Sequence, residues 1–104
     1  MTAFRISQAS FPPENLEAVR KAFAASQKTL EPATRRLRGH RITFTAIDPA
    51  SHTIAYVSLW DDVDAAKQLG ELPEMRAAGA ELIKLGAKFA PPVINYETLW
   101  SIEG

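Results

Sequence analysis

Cysteine is absent from this chain. That excludes disulfides, thiolate catalysis, iron–sulfur clusters and cysteine-ligated zinc, and it fits a reducing compartment. Histidine is scarce: His40 and His52 are the only two. Without cysteines or a paired acidic cluster they match no metal-ligand spacing, so no metal is expected. An excess of one charge is also missing. Twelve basic and twelve acidic residues cancel, which leaves no long-range attraction for nucleic acid or an anionic membrane. No apolar run approaches the ~20 residues that span a bilayer. Met1–Ser7 has no apolar stretch behind a basic one, so no leader is expected. These features describe a soluble, cytoplasmic protein. Glycine-rich phosphate loops and nucleophile elbows are missing too.

What the chain does have is an ordered alternation of hydrophobic periods. Ala3 to Ser10 alternates, with Phe4 and Ile6 on one side and Arg5 and Ser7 on the other, as a half-buried strand does. Phe11-Pro12-Pro13 ends it, and Pro13 opens a helix carrying Leu16, Val19, Phe23 and Leu30 at helical spacing. Pro32 marks that helix's end, and Thr34 to Arg41 reads as a basic connector. His40–Ile47 is a strand with Ile42, Phe44 and Ala46 on one face. Asp48-Pro49-Ala50-Ser51 is turn chemistry, and Thr53–Trp60 follows as the second strand of a hairpin. Asp61 and Asp62 cap a short helix that ends at Gly70. Pro73 starts a longer helix, with Met75, Gly79, Leu82, Ile83, Gly86 and Phe89 as its stripe. Its glycines imply close approach of helix to sheet, and Pro91-Pro92 stops it. Val93–Ile102 is the last strand. The order β-α-β-β-α-β defines an α+β, ferredoxin-like sandwich with a four-stranded antiparallel sheet. At 104 residues, one domain spanning 1–104 is expected.

Thr53–Trp60 is apolar on both faces. Ile54, Tyr56 and Trp60 point one way, and Ala55, Val57 and Leu59 the other. The last strand is similar. Two helices cover only one face of such a sheet, and the other leaves a larger apolar patch than monomers usually expose. A second copy packed sheet to sheet is the simplest cover, so a homodimer is expected.

The hairpin closing on Tyr56-Val57-Ser58-Leu59-Trp60, the acidic Asp61-Asp62 after it, the helix opening at Leu72-Pro73-Glu74-Met75 and the closing Tyr96-Glu97-Thr98-Leu99-Trp100 carry a resemblance. Over its whole length the chain resembles the dimeric α/β-barrel superfamily, and within it the antibiotic biosynthesis monooxygenase-like proteins. The resemblance implies a dimer through face-to-face sheets and a small pocket between sheet and helices, with Trp60 near it. It also implies oxidation of phenolic or anthrone-like compounds to quinones without metal or flavin. Haem-degrading relatives carry a histidine after that tryptophan and an asparagine on the first strand. Asp61–Phe89 has no histidine and Ala3–Phe11 no asparagine, so haem degradation is not expected.

Oxygenation without a cofactor needs a base, a cation for the substrate anion and a dry aromatic pocket. His40, at the head of a strand, is the better-placed base; His52 sits at the hairpin turn, solvated. Arg5 holds an anion if it faces inward. Trp60, Tyr56, Tyr96, Trp100 and Asn95 are the candidate pocket residues, Asn95 sharing a strand face with Glu97. RNA-recognition domains share this element order. Their third strand opens on a basic–glycine–aromatic motif, and Ser51–Leu59 lacks it. The expected partners are therefore a second copy and a small aromatic or apolar ligand, with no nucleic acid and no membrane. The functional expectation is a cofactor-independent monooxygenase-like protein. The alternative is a non-catalytic dimeric barrel that binds a small ligand or serves a stress response.

Overall fold

The computed structural model describes all 104 residues. Its elements run β1 (Ala3–Ser10), α1 (Leu16–Arg35), β2 (His40–Asp48), β3 (Thr53–Trp60), α2 (Val63–Lys67), α3 (Pro73–Lys84), β4 (Lys88–Phe89) and β5 (Ile94–Glu97). The sheet is antiparallel in the order β2-β3-β1, with both β4 and β5 on the far side of β1. This is the expected ferredoxin-like sandwich. The β4 and β5 segments are two pieces of one last strand. Pro91 and Pro92 lie between them and have no N–H to give a ladder.

β3 alternates strictly. Ile54, Tyr56, Ser58 and Trp60 are buried beneath the helices, while Thr53, Ala55, Val57 and Leu59 are only partly covered. The register extends both faces across the sheet. Ser58 lies opposite Arg5, and Arg5 opposite Asn95, on the helix side. On the other side Ile94, Ile6, Val57 and Phe44 form one row, and Tyr96, Phe4, Leu59 and Ile42 a second. No helix covers these rows, and Phe44, Ile42, Ile94 and Tyr96 stay exposed. No helix is long and apolar enough to cross a membrane.

Several boundaries correct the sequence reading. Helix α1 does not stop at Pro32 but runs on to Arg35. Proline removes one helical hydrogen bond. Against that loss, the extra turn buries Ala33 and Thr34 and places Arg35 Nη2 2.9 Å from Glu31. The basic connector is correspondingly shorter. Only Asp62 caps α2, its carboxylate accepting from the Ala65 N–H at 2.7 Å. The Arg38 guanidinium and that cap hold the Asp62 carboxyl below the usual carboxylate range. Asp61 instead pairs with Arg41 at 2.7 Å. Gly70 does not end a helix; it lies within a 3-10 turn, Gln68–Glu71, that follows α2.

Helix α3 ends at Lys84 rather than reaching Phe89. Gly86 adopts φ +88°, donates to Ile83 O at 2.9 Å, and is followed by an Ala87 N–H donating to Leu82 O at 3.0 Å. That pair of bonds is the Schellman stop, which favours glycine in the left-handed region. A Cβ there would also lie 2.7 Å from Pro12 Cγ. Nor does Gly79 bring helix and sheet together, because nothing lies within 4 Å of where its Cβ would be. It leaves open space. The last strand is shorter than Val93–Ile102: beyond Glu97 only the Thr98 N–H, donating to Thr2 O at 2.9 Å, extends the pairing.

Two apolar clusters anchor the helix layer. Ala9, Phe11, Val19, Ile54, Leu82 and Ala87 form one beneath α1 and α3, and Trp60, Ala65, Ala66 and Leu69 form the other beneath α2. Ile54 and Trp60 stand at opposite ends of β3. Tyr56 and Ser58 lie between the clusters, and the cleft opens there.

Candidate active site

Two adjoining cavities occupy the helix side of the sheet, sharing Tyr56, Leu69 and Met75 as walls. The outer one, about 630 Å³, lies between α1 and β2, with His40, Thr43 and Thr45 on the strand side and Phe23, Ser26 and Leu30 on the helix side. The inner one, about 190 Å³, is lined by Arg5, Ser7, Ser58, Gly70, Arg76 and Gly79 among others. Tyr56 is the partition. Its ring packs at a tilt on Phe23, centroids 5.3 Å apart, and burial pushes its phenol up, with Ser26 opposing.

His40 is half-buried at the head of β2. Its Nε2 lies 2.7 Å from Thr43 Oγ1, and its ring stands edge-on to Trp60 at 5.1 Å. Burial, and secondarily the charge of Arg35, push its pKa down, so the ring is neutral near pH 7. A neutral, fixed imidazole on a cavity wall can take a proton. When its Nε2–H donates to Thr43, Nδ1 keeps a lone pair for that purpose.

Arg5 faces the helices, not solvent. Its Nη1 donates to Asn95 Oδ1 at 3.1 Å, and its Nη2 would lie 2.9 Å from a Cβ on Gly70. The glycine makes room for the guanidinium. Burial pulls the Arg5 pKa down, and no carboxylate lies within salt-bridge distance. The cleft therefore offers a neutral base at one end, a cation at the other and an aromatic wall between them.

The remaining candidates lie elsewhere. Trp60 has no exposed surface and lines neither cavity. It fills the core under α2, and its indole N–H donates to Ser58 Oγ at 2.8 Å. Its contact with the cleft is indirect, through the edge of His40. Tyr96 lies on the uncovered sheet face beside Phe4, and Trp100 is 75% exposed beyond β5. Neither lines the cleft, because strand alternation sends Tyr96 to the opposite face. Asn95 holds Arg5 rather than forming a wall. His52 sits in the hairpin turn at φ +56°, edge-on to Phe11, away from both cavities. Sequence reasoning missed Leu69, Gly70, Met75 and Arg76, whose orientation is set by the turn between α2 and α3.

Trp60→Phe tests the core placement. Losing the buried indole hydrogen bond is expected to lower stability by about 1–2 kcal/mol. Urea unfolding measures this, and an unchanged midpoint would contradict the placement.

The fold and cleft define a ferredoxin-like α+β domain with a small-molecule-sized cavity between sheet and helices. No family model matches the chain, and no curated protein matches it by sequence. Solved structures do match in fold. A protein from Deinococcus radiodurans, provisionally assigned as an antibiotic biosynthesis monooxygenase, superposes with a TM-score of 0.72 at 17% identity, over 99% of this chain and 97% of that one. SnoaB, a cofactor-independent oxygenase from Streptomyces nogalater, gives 0.63 at 13% identity, over 99% and 98%. A dimeric protein of unknown function and ferredoxin-like fold from Bacteroides fragilis gives 0.68 at 22%, over 93% and 96%. The chain shares the fold of these proteins.

Proposed function

We propose that this chain is a single-domain, cytoplasmic protein that dimerises sheet to sheet into an α/β barrel and oxygenates a phenolic aromatic substrate without a cofactor. The observation that carries this reading is that His40 and Arg5 both face the cleft, in cavities that share Tyr56. His40 takes the proton that makes the substrate electron-rich, and Arg5 holds an anionic group of the ligand. Phe23, Tyr56, Leu69 and Met75 supply apolar surface for the ring to pack on. For an anthrone-type substrate, the reactive carbon gains one atom of O₂. Its two hydrogens leave with the other atom as water. The fold likeness to SnoaB is consistent with this chemistry, and that to the dimeric Bacteroides fragilis protein with the assembly. Of the four arginines of the basic stretch Thr34–Arg41, Arg35 pairs with Glu31, Arg38 with Asp62 and Arg41 with Asp61, while Arg36 is exposed and has no carboxylate within 4 Å.

The test is oxygen uptake by the purified protein with a panel of anthrones, naphthols and hydroquinones. Uptake above the autoxidation background, with one oxygen atom incorporated from labelled O₂, is the expected result. Tight binding of panel members with no uptake would replace the enzyme reading with that of a ligand-binding barrel.

A further inference from the structure

Arg5 is the one arginine withdrawn from solvent; every other arginine side chain is exposed. It is also without a carboxylate, whereas Arg20, Arg35, Arg38 and Arg41 each have one within 4 Å. Of its five N–H groups one is used, on Asn95. No aspartate or glutamate lines the inner cavity, and a second guanidinium, Arg76, stands at its edge with Nε 3.4 Å from Gly70 O. A half-buried cation with free donors and no counter-charge is costly to maintain unless an anion arrives. Beside it, in register across the sheet, is Ser58. Trp60 already donates to the Ser58 oxygen, so the hydroxyl's own hydrogen is left to donate. Arg5 and Ser58 therefore present donors to the same small space. Gly70 and Gly79 keep that space open, because an alanine at Gly70 would crowd the guanidinium.

We propose that the inner cavity is a carboxylate pocket, so the cleft takes an aromatic carboxylic acid. The acid group sits on the Arg5 fork and the Ser58 hydroxyl, and the ring body extends past Tyr56, Leu69 and Met75 into the outer cavity. This rests on the reading of the cleft as a small-molecule site and names the class of molecule. A planar guanidinium matches the two oxygens of a carboxylate. The inner volume of about 190 Å³ suits a small polar group, and the outer of about 630 Å³ suits fused rings. Arg5 thus anchors the ligand at a group that does not react and delivers the ring to His40.

The experiment is calorimetric titration of the whole protein with 2-naphthoate, 2-naphthamide and 2-naphthol at two salt concentrations. Naphthoate is expected to bind at least about tenfold more tightly than naphthamide, with the preference shrinking at high salt. Arg5→Met should collapse that ratio. Gly70→Ala should do the same by displacing the guanidinium, and a retained circular dichroism spectrum in either variant excludes unfolding as the cause. Equal affinity for naphthoate and naphthamide overturns the carboxylate pocket and leaves the cleft reading intact. Preference for naphthol also overturns it, by assigning Arg5 to the phenolate. Binding of none of the three overturns both readings, and a ratio that survives both substitutions places the anion elsewhere.

Discussion

Val57→Asp is expected to convert a two-subunit particle into a one-subunit one. Val57 stands at the middle of the uncovered face, between Ile6 on β1 and Phe44 on β2. The rows Ile94–Ile6–Val57–Phe44 and Tyr96–Phe4–Leu59–Ile42 place eight apolar side chains side by side, with no element of the chain over them. Phe44 is 57% exposed, and the apolar residues after β5, Leu99, Trp100 and Ile102, are more exposed still. A continuous surface of that kind is covered when two copies meet. A two-fold axis repeats each substitution, so a single aspartate puts two carboxylates into the interface. Leaving them unpaired there costs several kcal/mol, which weakens association by roughly 10³-fold or more. Sedimentation velocity at micromolar concentration measures this directly. The parent should run as two subunits and the variant as one, with an unchanged circular dichroism spectrum. A parent that already runs as one subunit removes the basis of the assembly.

The same face explains which parts of the structure could be read in the sequence. Strand β3 was legible to the residue because a run of mostly β-branched, aromatic and other apolar residues lies between a turn and an acidic pair. That Phe4 and Ile6 oppose Arg5 and Ser7 was equally plain. Which of those faces carries the helices was not. The greasier side, with Phe4 and Ile6, looks like a core side, yet the helices pack over Ala3, Arg5, Ser7 and Ala9, and the greasier side is the uncovered one. Small residues under the helices leave room for the cleft, so Arg5 points inward, which its place on an amphipathic strand does not by itself require. Helix ends failed for another reason. Pro32 and Gly86 are local signals whose meaning depends on remote partners. Burial of Ala33 and Thr34 carries α1 past its proline, and Gly86, at φ +88° and with no room for a Cβ against Pro12, is a stop rather than part of a stripe. Trp60 was visible as important, but period alone cannot tell a wall from a filled core. Leu69, Gly70, Met75 and Arg76 come from a turn whose direction no spacing encodes.

His40→Gln is expected to lower kcat/KM for an oxygen-consuming substrate by about 10²-fold or more, the loss typical of removing a positioned base. Glutamine keeps a polar head near Thr43 but takes up no proton. The pH profile separates this from a change in packing. Burial and Arg35 depress the His40 pKa, so the working neutral form persists above the ordinary histidine value of about 6.5 and is lost only as pH falls through the lower, folded value. Stability follows the same sign. A histidine held below its unfolded pKa contributes fully above about pH 6.5, and that contribution disappears as pH falls through the folded value. The parent's activity should therefore decline on the acid side of about pH 6.5, and the His40→Gln variant should show no such limb. His52→Gln is the matched control, since His52 touches Phe11 and neither cavity. It should leave rate and profile as they were. An acid limb that persists without His40 would assign the proton to another group of the cleft or to the substrate itself.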